Sequence, residues 1–142
     1  MPHVNEPGTI RRLLTTPATW AVVGLSANSE RVSYGVSEYV RDELGMRIVP
    51  VNPRAEGWQG EPGYKYLSEV PAPVDVVDCF VNSSRVGDVV DHAIAERERL
   101  GIQAVWLQLG VIDETAAERA RAAGLEVVMD TCPAIEGPRL PS

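Results

Sequence analysis

The run Gly24-Leu25-Ser26-Ala27-Asn28-Ser29-Glu30-Arg31-Val32-Ser33-Tyr34-Gly35 places a glycine where an apolar segment gives way to small polar residues. Glycine allows the chain to turn sharply, and small side chains let backbone N–H groups and hydroxyls approach phosphate oxygens. The positive end of a following helix would favour the same anion, and Arg31 falls within the loop. The pattern is not GxGxxG, because Ser26 holds the second glycine position and Gly35 stands too far away. Taken alone, the loop reads equally well as a ligand-free turn.

A second candidate segment is Val51-Asn52-Pro53-Arg54. An NAD-binding unit normally ends its second strand in Asp or Glu, which accepts hydrogen bonds from the ribose diol. No carboxylate occupies that position. Asn52 can bond a ribose or a backbone turn, and Arg54 suits an additional phosphate on the adenosine, as in coenzyme A or NADP. An Asn-Pro turn with a solvated arginine accounts for the same residues. In Phe80-Val81-Asn82-Ser83-Ser84-Arg85, Ser83 or Ser84 is expected to cap a helix and leave amides near a ligand. Gln108, after an apolar run, would lie at a strand's carboxyl edge.

The remaining reactive side chains argue against catalysis. Cys79 and Cys132 show neither CxxC nor metal-ligand spacing, which disfavours a disulfide or zinc site. No Lys, Arg or His adjoins Cys132 to lower its pKa, so a small buried side chain is expected there. His3 is near the terminus and His92 lies inside a helical segment among acids. Neither suits a general base. Tyr34, Tyr64 and Lys65 are the other proton-transfer candidates.

These loops need a frame, and hydrophobic periodicity supplies one. Apolar runs near Thr19–Leu25, Met46–Pro53, Val74–Val81, Ala104–Leu109 and Leu125–Met129 read as strands. Pro50 hints that the second ends early or bends, and Tyr64–Leu67 is expected to form a very short strand. Helices are expected over Asn5–Leu14, Gly35–Leu44, Arg85–Leu100 and Asp113–Ala123, with Gly45, Gly101 and Gly124 as stop signals. Alternating strands and helices imply an α/β, Rossmann-like three-layer sandwich: a doubly wound, mainly parallel sheet of about five strands, with strand one near its middle. Ligands of such sheets bind at the carboxyl ends of the strands, where the loops above converge.

The 142 residues suit one domain, with a core of about residues 10–136. With 13 basic and 20 acidic side chains the net charge is −7, which disfavours nucleic acid. No apolar leader or run of about 18 apolar residues occurs, so the expected compartment is the cytoplasm, away from membranes.

The segments Ala21-Val22-Val23-Gly24-Leu25-Ser26, Val49-Pro50-Val51-Asn52-Pro53-Arg54, Val77-Asp78-Cys79-Phe80-Val81, Val105-Trp106-Leu107-Gln108-Leu109-Gly110 and Met129-Asp130-Thr131-Cys132-Pro133 occur in a distinctive order. They resemble the small stand-alone CoA-binding domain proteins related to the N-terminal domain of the succinyl-CoA synthetase alpha subunit. The resemblance implies a Rossmann-like fold that binds coenzyme A. It places Gly24, Ser26, Ala27 and Asn28 along the phosphates, and Asn52, Pro53 and Arg54 around the adenosine and its 3′-phosphate. Val81, Asn82, Ser83 and Gln108 would border the pantetheine path. Many members carry an Arg-rich segment after the phenylalanine at position 80, whereas here the arginine is delayed to Arg85, which implies weaker anion affinity on that side.

The larger synthetases complete catalysis with a second, phosphohistidine-bearing domain, and no histidine here could replace it. The expectation is a non-catalytic coenzyme A or acyl-CoA binder acting as carrier, sensor or subunit, with a protein partner or homo-oligomer left open. A small NADP-dependent oxidoreductase and an interaction module that has lost its ligand are the alternatives.

Overall fold

The computed structural model describes residues 2–141. Its helices are α1 (Pro7–Thr15), α2 (Val32–Asp42), α3 (Ser83–Leu100), α4 (Glu114–Ala122) and α5 (Pro133–Glu136). Its strands are β1 (Thr19–Val23), β2 (Arg47–Val51), β3 (Val76–Cys79), β4 (Ala104–Leu107) and β5 (Glu126–Met129). All pair in parallel in the order β2-β1-β3-β4-β5. The expected Rossmann-like architecture is therefore present. The chain steps from β1 outward to β2, then returns past β1 to β3. The order reverses between β1 and β3, and there the carboxyl-end loops diverge and leave a crevice.

Alternation along the strands divides the core into two layers. Trp20, Val22, Ile48, Val76, Trp106 and Val128 pack in the layer that includes residues of α1 and α2. Ala21, Val49, Val77, Val105 and Val127 pack with residues of α3 and α4. Trp20 and Trp106 meet with ring centroids 5.6 Å apart. Because both faces are covered, the strands read as continuous apolar runs. The outer edge of β5 is closed by Asn5, which donates to the Met129 carbonyl and accepts from the Met129 N–H, both at 2.9 Å.

Several expectations are corrected. Pro50 does not end β2, which continues to Val51. The Pro50 carbonyl accepts from Tyr64 on the outer side of this edge strand, where its absent N–H would also have pointed, so no ladder bond is lost. The expected strand over Tyr64–Leu67 reduces to a single parallel bridge between Val51 and Tyr64. Beyond it, Glu69 accepts from the Tyr66 N–H at 3.1 Å, and Leu67–Glu69 turns into a 3₁₀ helix. Helix α2 begins at Val32 rather than Gly35, and α5 lies beyond the elements read from periodicity.

Candidate functional site

The carboxyl ends of β1, β2 and β3 meet at Gly24. Its N–H donates to the Val51 carbonyl at 2.8 Å, while Phe80 N–H donates to the neighbouring Val23 carbonyl at 2.8 Å. Gly24 has a φ of 99°, and a Cβ there would lie 2.3 Å from the Phe80 carbonyl oxygen. Only glycine fits, for both backbone and contact reasons. Ser33, buried in the first turn of α2, donates to the Gly24 carbonyl at 3.3 Å and fixes the helix against the turn.

Between them the loop is shaped by its own polar side chains. Ser26 Oγ accepts from Asn28 N–H at 3.3 Å, and Asn28 Oδ1 accepts from Glu30 N–H at 3.0 Å. Such local turns orient backbone without apolar packing.

These loops bound a cleft of about 790 Å³, a size suited to a cofactor. Of the residues expected at the site, Gly24, Ser26, Ala27, Asn28, Arg31, Asn52, Pro53, Arg54, Val81 and Asn82 line it, joined by Glu56, Phe80 and Arg85. Arg31 is the N-cap of α2 and Asn82 that of α3, and neither helix has a side-chain hydrogen bond at its cap. Two helix N-termini thus open at one cleft, and each favours an anion. Among the described residues, Arg31, Arg54 and Arg85 form no salt bridge. A chain of net charge −7 therefore gathers three guanidiniums free of ion pairs, against one carboxylate, at the switch point of its sheet.

Asn52 contributes by holding the cleft's shape. It is buried, its Nδ2 donates to the carbonyls of Leu25 and Glu56, each at 2.9 Å, and its Oδ1 accepts from the N–H groups of Arg54 and Glu56. Its amide is fully committed to backbone, and only Arg54 of the pair has a free polar head.

Ser83 and Gln108 stand elsewhere. Neither Ser83 nor Ser84 caps α3; Ser83 Oγ instead donates to the Gly110 carbonyl at 3.2 Å and accepts from Ile112 N–H at 2.9 Å, joining the loops after β3 and β4. Gln108 is 3% exposed and donates to Asp78 Oδ1 at 2.5 Å. Burial pushes the Asp78 carboxyl up to about 7, while the hydrogen bonds from Gln108 and the Cys79 backbone pull the other way. Gln108 therefore satisfies a buried acid rather than facing the cleft.

The delayed arginine still reaches the site. Three residues beyond the Asn82 cap, Arg85 is on the first turn of α3 and lines the cleft. Glu56 and Phe80 carry no sequence signal as site residues; Glu56 stands beyond a strand end in a loop with no periodicity, and Phe80 sits within an apolar run. Asn52, not an acid, follows β2, and the cleft's carboxylate is Glu56, four residues further on.

The lining contains no His, Tyr, Lys or Cys. Tyr34 packs edge-on against Trp58, with centroids 5.8 Å apart. Cys79 and Cys132 are free and buried, and burial raises both thiols, the opposite of nucleophile activation. His3 lies at the β5 edge, with Nε2 2.9 Å from Asn5 Oδ1. No helix among the described residues is long and apolar enough to cross a membrane.

Comparison with known proteins gives this cleft a context. The uncharacterized protein YneT of Bacillus subtilis (strain 168) is 31% identical over 123 residues, 87% of each chain. A hypothetical protein from Pyrococcus horikoshii OT3 superimposes with a TM-score of 0.85 at 31% identity, over 99% of both chains. The alpha subunit of acetate–CoA ligase [ADP-forming] II from Pyrococcus furiosus is 29% identical over 105 residues, 74% of this chain but only 22% of that longer one. The resemblance read from the strand-end motifs thus holds. A family model described as a CoA binding domain matches residues 18–138, and the chain belongs to that family.

Proposed function

We propose that the cleft binds coenzyme A, and that the chain acts as a cytoplasmic, non-catalytic CoA-binding module: a carrier, a sensor or a subunit. The observation that carries this reading is the meeting of Arg31, Arg54 and Arg85 with two open helix N-termini above Gly24. Coenzyme A bears a diphosphate and a separate ribose 3′-phosphate, and this site offers three cations contributed by the segments after β1, β2 and β3. Gly24, Ser26, Ala27 and Asn28 would follow the diphosphate. Pro53 and Arg54 would meet the adenosine and its 3′-phosphate, with Asn52 shaping the turn, and Val81 and Asn82 would border the start of the pantetheine arm.

A lining without Cys, Lys or His offers no thiol, amine or imidazole nucleophile for acyl transfer, which supports binding over covalent catalysis. The ligase relative is named as a subunit and is much longer than this chain, which supports a partner protein that supplies whatever chemistry follows binding.

Thermal denaturation tests the reading. Millimolar coenzyme A should raise the melting temperature by mass action, and NAD should not. A shift with NADP and none with coenzyme A would reverse the assignment in favour of a dinucleotide.

A further inference from the structure

Glu56 is a carboxylate in a cleft whose other charged residues are Arg31, Arg54 and Arg85. In a site that bound only phosphates it would weaken every one of them. Nor does it serve as a counter-ion, because no ion pair within 4 Å joins it to any of these arginines. Its backbone placement is nonetheless tightly specified. Asn52 grips both the N–H and the carbonyl of Glu56, each at 2.9 Å. Gly63 passes so close that a Cβ would lie 2.0 Å from the Glu56 carbonyl oxygen, and Ala55, with a φ of 52°, makes the turn between Arg54 and Glu56.

A carboxylate beside a phosphate-binding arginine is suited to a neutral donor next to that phosphate. On a phosphorylated ribose, that donor is the adjacent hydroxyl. We propose that Glu56 is a specificity-determining residue which accepts a hydrogen bond from the ribose 2′-hydroxyl, while Arg54 holds the neighbouring 3′-phosphate. Together the two residues read a ribose that carries one phosphate and one free hydroxyl. This rests on the reading of the cleft as a coenzyme A site and adds a second element to its selectivity.

The test uses two probes, adenosine 3′,5′-bisphosphate and its 2′-deoxy analogue, titrated by calorimetry into the parent and Glu56→Ala proteins. A charge-assisted hydrogen bond should make the parent prefer the ribose form by about tenfold, and Glu56→Ala should bind both alike. Should the alanine variant fail to fold, Glu56→Gln takes its place, with the preference falling at least about threefold as the charge is lost. A parent with no preference, or a variant that keeps it, overturns the role of Glu56. Coenzyme A is titrated alongside: a parent that binds it but neither probe overturns the role given to Arg54 and Glu56, and one that binds none of the three defeats the reading of the cleft itself, so the two failures are distinguishable.

Discussion

Asn52 Nδ2 donates to the Leu25 carbonyl at 2.9 Å, and this one bond ties the turn after β2 to the loop after β1. The same side chain makes three further bonds to the backbone of Arg54 and Glu56. Asn52→Ala removes all four, leaving the buried Leu25 carbonyl without this donor and the part-buried backbone of Arg54 and Glu56 without its partners. It should cost roughly 2–3 kcal/mol in urea denaturation and weaken coenzyme A binding as well. A variant of parental stability would show that the turn is held by other means.

At Gly24 the constraint is steric. Gly24→Ala places a methyl against the Phe80 carbonyl at a φ of 99°. The change should destabilise the fold by more than about 2 kcal/mol and abolish ligand-induced protection. A folded variant that still binds would mean the loop can retreat from β3 without losing the site.

The three arginines should divide their work. Arg31→Ala and Arg85→Ala should each lower affinity for coenzyme A and for dephospho-coenzyme A by similar factors, about tenfold. Arg54→Ala should lower only the former, erasing the preference for the 3′-phosphate. Equal losses in all three variants would place the 3′-phosphate elsewhere.

Asp78 supplies a pH dependence separate from binding. Its folded-state pKa, near 7, exceeds the ordinary value of 3.8, so the folded protein holds the proton more tightly than the unfolded chain. The stability linked to that proton is complete below 3.8 and is lost as the pH rises through 7. Asp78→Asn does not titrate, so the decline in unfolding free energy between about pH 4 and pH 7 should flatten. An unchanged slope in denaturant titrations would assign the dependence to another group.

The frame and the tight turn at Gly24 are legible in the sequence because each depends on local composition. Val22 and Val49 sit in apolar runs that a parallel sheet buries on both faces, and Gly24 marks the end of one of them. Arg54 was legible from its place after a strand. What escaped depends on contacts distant along the chain. The loop from Arg54 to Gly63 is anchored by Trp58, which is 1% exposed with Arg41 stacked 4.7 Å above its ring, and no periodicity announces that burial. Left-handed backbone at Ala55 and Gln59, neither of them glycine, hides the turns that carry Glu56 to the cleft.

Helix ends depart from the sequence pattern for related reasons. Val32 is 74% exposed, so the first turn of α2 lacks the apolar signal that marks the rest. Ser83 looks like a cap by residue type, but its hydroxyl is taken by the loop after β4. Gln108 looked like a ligand contact by position, yet buried Asp78 on the neighbouring strand draws its amide inward.

The most direct test of the CoA-binding reading is calorimetric titration of the purified protein with coenzyme A at two salt concentrations. Binding at one site per chain, weakened by salt because the arginines meet phosphates, is the expected result. No heat of binding at millimolar coenzyme A, or tighter binding of NADP at the same site, would contradict it.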